Sequence, residues 1–132
     1  MSLKVITLEL ARNPGHPAGD HTHGYVFRAP LDAQGYFDRF QWAAMKPFCT
    51  VRRMEKGQEA ETGLLVLNRQ GKWVFSYMRG DEDDETLFRL AEHRFSPGDY
   101  VSITEHDGVQ RAFKVATVAD WHADRANAAA LS

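Results

Sequence analysis

Three histidines stand close together early in the chain, in Gly15-His16-Pro17-Ala18-Gly19-Asp20-His21-Thr22-His23. Imidazole is the commonest protein ligand for first-row divalent metals. In an extended segment His21 and His23 point to the same side, because side chains two apart share a face. The pair could supply two ligands to a divalent transition metal, with His106 as the third; His93 and Asp20 are further candidates. A centre with two or three histidines and water keeps open positions, which metal-assisted hydrolysis or oxygen chemistry requires. The competing reading is that histidines in a Pro/Gly-rich loop are simply solvated, since a metal site needs several converging ligands and only two are spaced for it.

Other constellations are weighed in the same way. Asp81-Glu82-Asp83-Asp84-Glu85 could hold a hard cation, but it lacks the alternating ligands and central glycine of a calcium loop. It reads as a solvated acidic loop spanning Gly80 to Glu85. Arg52, Arg53, Lys56, Arg69 and Lys72 lie near two expected strands, with Trp73 and Tyr77 close by. Basic and aromatic residues interleaved on a barrel face are how single-stranded nucleic acid is gripped. Against that, the aromatics alternate as core residues do. A net charge of -2 supplies no long-range attraction to nucleic acid or anionic lipid. Cys49 falls on the apolar side of a strand and reads as a buried, inert thiol. There is no phosphate loop, dinucleotide fingerprint, metalloprotease helix or nucleophile elbow, and no residue is assigned a catalytic role.

Gly15, His21 and His23 fit a glycine followed by five residues and His-x-His, and Gly35 falls where that motif closes. The segment resembles the first motif of the cupin family, which implies a β-barrel metalloenzyme with His21 and His23 as ligands. That motif's glutamate is expected four or five positions after the second histidine, where this chain has Phe27 and Arg28. Ser96-Pro97-Gly98-Asp99 resembles the proline-glycine turn of the second cupin motif, with His106 following it. More broadly, an N-terminal LELAR strand, then HGYVFRAPLDAQG and finally PGDYVSI before the Asp107-Gly108 turn resemble a family of small bacterial proteins, a resemblance that implies no activity.

These side chains must be positioned by a mostly β chain. Leu3 to Leu10 is a strand candidate, apolar on both faces, which suits a barrel position. Arg12 to His23 is a long loop. Gly24 to Ala29 is a second strand, stopped by Pro30. Phe37, Phe40, Ala44 and also Trp42 and Met45 recur at helical spacing, predicting a helix from Phe37 to Lys46 that Pro47 ends. Cys49 to Met54 reads as a strand with Cys49, Val51 and Arg53 on one side. Thr62 to Asn68 and Lys72 to Tyr77 form a hairpin around Arg69-Gln70-Gly71. Leu87 to Arg94 is readable as strand or helix, with the strand preferred because its neighbours are β. Tyr100 to Thr104 and Ala112 to Val118 flank Glu105-His106-Asp107-Gly108, and Asp-Gly is a strong hairpin signal. Phe113, Val115 and Thr117 are expected on one face.

The 132 residues therefore make one domain, 1–118, followed by a polar tail, 119–132, expected to be a short helix or frayed. The fold class is mainly β: an antiparallel β-barrel or roll of six to seven strands with one short helix. The expected core is Val5, Val26, Phe40, Val51, Leu65, Trp73, Phe75, Val101, Ile103, Phe113 and Val115. One cysteine excludes an intrachain disulfide. No apolar run approaches the roughly 20 residues that span a bilayer, and no signal peptide is evident, so a cytoplasmic location is expected. With no complete catalytic set, the functional expectation is a small binding or interaction module. A small-molecule ligand of unknown identity and self-association into a homodimer over exposed sheet edges are its expected partners.

Overall fold

The computed structural model describes residues 3–77, 84–87 and 89–122. Asp81, Glu82 and Asp83 of the expected acidic loop, and the alanine-rich stretch 126–130, lie outside the described residues.

Among those residues there are eight strands: β1 (Leu3–Leu10), β2 (Asp20–Ala29), β3 (Thr50–Met54), β4 (Glu61–Leu67), β5 (Trp73–Tyr77), β6 (Glu85–Leu87), β7 (Tyr100–Thr104) and β8 (Gln110–Trp121). Each pairs antiparallel with the next, and β8 pairs back onto β1, so the sheet closes into an up-and-down barrel. Closure gives every strand a neighbour on both sides, although β6 reaches only two residues of β5 and two of β7. Six or seven strands were expected. The additional one is β6, whose three residues are too few for any alternation to be read. It takes Glu85 and Leu87 from segments expected to be acidic loop and a longer strand. The stretch expected as a strand from Leu87 to Arg94 instead ends β6 and turns through a 3-10 helix, Leu90–Glu92, that buries Leu90 completely.

Alternation decides what faces the interior. On β1 it is Ile6, Leu8 and Leu10; on β2, Tyr25, Phe27 and Ala29. Val5 and Val26 therefore lie on the outer face, half-buried, and not in the core. On β8 the inward Phe113 and Val115 are as expected, but Thr7 pairs with Thr117 while Leu8 pairs with Val115. Ala116 is the extra residue of a bulge, which turns Thr117 outward and brings Val118 against the core. β8 also runs three residues into the expected tail. The β7–β8 hairpin forms as expected, with Gly108 at φ +83 in its turn.

The helix is shorter than its periodicity suggested. Asp38 accepts from the Gln41 amide at 3.1 Å and so caps α1 (Arg39–Met45), while Pro47 falls in a following 3-10 turn, Lys46–Phe48. Residues 40 and 42 are about 200° apart on a helix and cannot both face the barrel. Trp42 does. Its Nε1 donates to the Leu65 carbonyl at 3.0 Å, and its ring packs edge-on against Trp73 at 4.6 Å. Phe40, expected in the core, is 91% exposed. Phe37 meets Trp73 from another side at 4.7 Å, so Trp73 is held between two rings. Deeper in, Tyr25, Phe27, Phe75 and Phe113 fill the barrel with tilted and edge-on pairs 5.1–5.2 Å apart. An eight-stranded barrel is just wide enough for side chains to fill, and these rings occupy the middle of this one. No helix among the described residues is long and apolar enough to cross a membrane.

Candidate functional site: a charge cluster and an outer cleft

The polar groups inside the barrel gather at one end, where β2 and β6 begin and β3, β5 and β7 finish. β2 contributes His23 and Tyr25, β3 Arg53, β5 Tyr77 and β6 Glu85; Glu105 follows β7 directly. Glu85 is 0% exposed and Glu105 2%. Each needs partners, because burying a charge alone is prohibitively costly. Glu105 Oε2 accepts from Tyr25 OH at 2.6 Å, from Arg53 at 2.9 Å and from His23 Nε2 at 2.9 Å. A carboxylate only accepts, so His23 carries its hydrogen on Nε2. The other oxygen, Oε1, accepts from Arg111 at 2.9 Å. Glu85 Oε1 lies 2.7 Å from Tyr77 OH and 2.9 Å from Tyr25 OH, and its Oε2 accepts from the His106 amide at 2.9 Å. Arg53 Nε stands 3.2 Å from that Oε2, at ion-pair distance but not aligned for a hydrogen bond.

A count of hydrogens assigns the charge states. Three short oxygen–oxygen contacts join Tyr77, Glu85, Tyr25 and Glu105, and two hydroxyls supply only two hydrogens. The third must sit on a carboxyl. Glu105 already accepts from four donors, two of them guanidinium groups, so the proton is assigned to Glu85, which donates to Tyr25. Burial pushes the Glu85 carboxyl upward, against the hydrogen bond from Tyr77 and the charge of Arg53. Burial acts on Glu105 in the same direction, but hydrogen bonds from His23 and Tyr25 and the charge of Arg53 outweigh it and hold that carboxyl down at about 2. Both tyrosine hydroxyls are pushed well up, first and mainly by burial. Arg53 stays firmly charged: burial opposes it, but Tyr25, Glu85 and Glu105 together prevail.

Two carboxyls pushed in opposite directions are the usual signature of an acid–base pair. Here the pair is closed on itself. Glu105 accepts from four donors, Arg53 also reaches Glu55 at 3.2 Å, and Arg111 is held by Asp107 at 2.8 Å. A reacting atom that approached Glu105 Oε2 would have to displace Tyr25, Arg53 or His23.

The histidines singled out by spacing are dispersed. Asp20, His21, Thr22 and His23 belong to β2 and not to a loop, but Glu9 pairs with Gly24 while Leu10 pairs with Asp20. The irregularity breaks alternation. His21 is exposed and lines a cleft of about 420 Å³ with Arg12, Asp20, Tyr100 and Lys114, whereas His23 is 5% exposed inside the barrel. His106 turns its Nε2 to Glu61 at 3.3 Å. Asp20 is engaged by Thr22 at 2.6 and 2.8 Å. Arg28, on the position considered against the cupin carboxylate, stacks over the Trp121 ring at 4.5 Å. Among the described residues no three or more His, Cys, Asp or Glu side chains are grouped to hold a metal ion.

Of the basic and aromatic residues considered for nucleic acid, Arg53, Trp73 and Tyr77 are buried, so the rings cannot stack on bases without leaving the core. Cys49 is buried as expected, and burial pushes its thiol up to about 11. Glu85 and Glu105 were missed from sequence. One signal was present: Cys49, Val51 and Arg53 share a face, so a buried Cys49 and Val51 place Arg53 inside, where it requires carboxylates.

A different kind of site lies outside the barrel. A cleft of about 610 Å³ runs over the outer side of β6 between the β4–β5 turn and the 3-10 turn, lined by Lys72, Trp73, Leu87, Arg89, Leu90 and Gln110 among others. Trp73 in its lining is clamped by Phe37 and Trp42, so that part of the wall is preformed. No family model, no curated protein and no solved structure matches this chain, so its function has to be argued from the geometry.

Proposed function

We propose that the protein is a non-enzymatic binding module that takes a small molecule in the cleft over β6, outside the barrel. The observation that supports this most is the cleft itself, about 610 Å³, with the clamped Trp73 in its lining beside the polar side chains of Lys72, Glu92 and Gln110. Among the described residues the barrel interior is occupied by rings such as Tyr25, Phe27, Phe75 and Phe113, and the charged side chains at its end are engaged by one another. An amide-resolved NMR titration with a set of small aromatic and aliphatic compounds tests the reading. Shifts should collect at Lys72, Trp73, Leu87, Leu90 and Gln110. Binding confined to the opposite end of the barrel, or none at millimolar concentration, overturns it.

The metal-dependent alternative rests on His21, His23 and His106 and has its own test. Elemental analysis of purified protein should return no stoichiometric iron, manganese, nickel or zinc. Stoichiometric metal that vanishes in both His21→Ala and His23→Ala would replace the binding module with a cupin-like metalloenzyme.

A further inference from the structure

The loop joining β1 to β2 is longer than a tight hairpin turn requires, and it is fixed in place. Asn13 Nδ2 donates to the carbonyls of Ala11 at 2.8 Å and Ala112 at 3.0 Å, and its Oδ1 accepts from the Ala112 amide at 3.0 Å. The Asn13 and His16 backbones bond to each other across Pro14 and Gly15, with Gly15 at φ +83. On the return, Gly19 comes so close to β1 that a Cβ there would stand 2.5 Å from the Leu10 carbonyl oxygen. The loop is thus an arch pinned to β8 and to β1, and it makes one preformed wall of the cleft of about 420 Å³ that His21 lines.

The facing wall is the outer surface of the barrel. Glu9 lies between inward Leu8 and Leu10, Lys114 between inward Phe113 and Val115, and Tyr100 beside inward Val101. All three therefore point outward, on the side where they line the cleft. Glu9 and Lys114 are direct cross-strand partners, and Tyr100 flanks Lys114 on the other strand. Opposite charges so placed gain by meeting. Among the described residues, however, neither of them is in an ion pair, and nor is Arg12 on the arch. Asp20 adds a second carboxylate, kept ionised by hydrogen bonds from the Thr22 hydroxyl and amide. One cleft therefore holds two cations and two carboxylates that do not neutralise one another directly.

A purely anionic or purely cationic ligand would set its charge against half of this lining. A ligand carrying both signs meets all of it. The Arg12 guanidinium matches a carboxylate as a planar fork, and the Lys114 ammonium reinforces it as a point charge. A ligand ammonium has three hydrogens to share between Glu9 and Asp20. Tyr100 is 58% exposed and offers ring surface to an apolar body. We propose that the cleft under the β1–β2 arch is a site for small zwitterions of the α-amino acid class, with Arg12 and Lys114 on the carboxylate and Glu9 and Asp20 on the ammonium. The site is separate from the cleft over β6 and does not depend on it.

Three probes of one shape test the proposal on the full chain by amide-resolved NMR titration: L-phenylalanine, N-acetyl-L-phenylalanine without the ammonium, and L-phenylalaninamide without the carboxylate. Phenylalanine should shift the amides of Glu9, Arg12, His21, Tyr100 and Lys114, and bind at least fivefold more tightly than either analogue. Arg12→Gln should weaken phenylalanine at least fivefold and leave phenylalaninamide unchanged. Glu9→Gln should weaken phenylalanine similarly and leave the N-acetyl compound unchanged. Both side chains are on the outside, and a parent-like amide spectrum shows that each variant is folded. Equal or tighter binding of either analogue overturns the zwitterion site, as does phenylalanine affinity that neither variant changes. Absence of shifts at these five residues at millimolar phenylalanine overturns it as well. The cleft over β6 is reported separately by the amides of Trp73 and Gln110, so its reading stands or falls on its own.

Discussion

Glu85 and Glu105 are the same residue type, a few ångströms apart through one tyrosine hydroxyl, and they are in opposite charge states. Substitution should separate them. Glu85→Gln keeps a neutral group and forfeits one hydrogen bond, because the amide nitrogen cannot both donate to Tyr25 and accept from Tyr77. The expected cost is about 1 kcal/mol. Glu105→Gln removes the anion shared by Arg53, Arg111 and His23, leaving buried positive charge poorly compensated, and should cost about 3–5 kcal/mol in urea unfolding. Equal costs would contradict the assignment of the proton to Glu85. The two carboxyls also give stability opposite pH dependences. Glu85 is raised above its ordinary 4.5, so from 4.5 upward to its folded value the native state holds the extra proton and stability from this group falls as pH rises. Glu105 is lowered from 4.5 to about 2, so the unfolded chain binds the extra proton between those values and stability from this group is lost as pH falls through them. Unfolding free energies measured across pH should show the parent losing its advantage over Glu85→Gln as pH rises above 4.5. An advantage that grows with pH would contradict the neutral acid.

At the scale of elements, α1 shows how a short helix resolves a conflict that its sequence leaves open. Phe40 and Trp42 are both large and apolar, yet only one side of a two-turn helix meets the barrel. Trp42 wins through a hydrogen bond to Leu65 and an edge-on contact with Trp73 that Phe40 could not make in full. Trp42→Ala should cost about 3–5 kcal/mol, whereas Phe40→Ser should stay within about 0.5 kcal/mol. Thermal denaturation of the two variants checks the contrast. β6 presents the opposite situation. It is held by only two residue pairs on each side, Val74–Thr86 and Phe75–Glu85 to β5, and Thr86–Thr104 and Leu87–Ile103 to β7. Its place in the barrel depends on side chains: Glu85 in the charge cluster and Leu87 in the core.

For the molecule as a whole, closure changes what association to expect. Homodimerisation was anticipated over an exposed sheet edge, and pairing of β8 with β1 leaves only short stretches of β5 and β7 beyond the reach of β6 among the described residues. Light scattering at high concentration should therefore return a mass near 15.0 kDa. Twice that mass would mean that an outer face, not an edge, is covered.

Much of the architecture was readable because it depends on local patterns. Alternating apolar residues marked six of the strands, Asp107-Gly108 marked the last hairpin, and Asp38 and Pro47 bounded the helix, all within a few positions of the chain. What alternation cannot show is a break in itself. The irregularity in β2 separated His21 from His23, and the bulge at Ala116 turned Thr117 outward, because each depends on the register with β1. β6 escaped notice for a related reason: three residues hold no period, and only pairing with β5 and β7 makes them a strand. The charge cluster was the least legible of all. Its members lie up to 82 residues apart, and a buried glutamate cannot be told from a solvated one until barrel closure brings His23 to Glu105 and Tyr25 to both carboxyls. Sequence determined which faces were apolar. Closure of the barrel decided which charges had to share its interior, because that depends on distances across the fold and not along the chain.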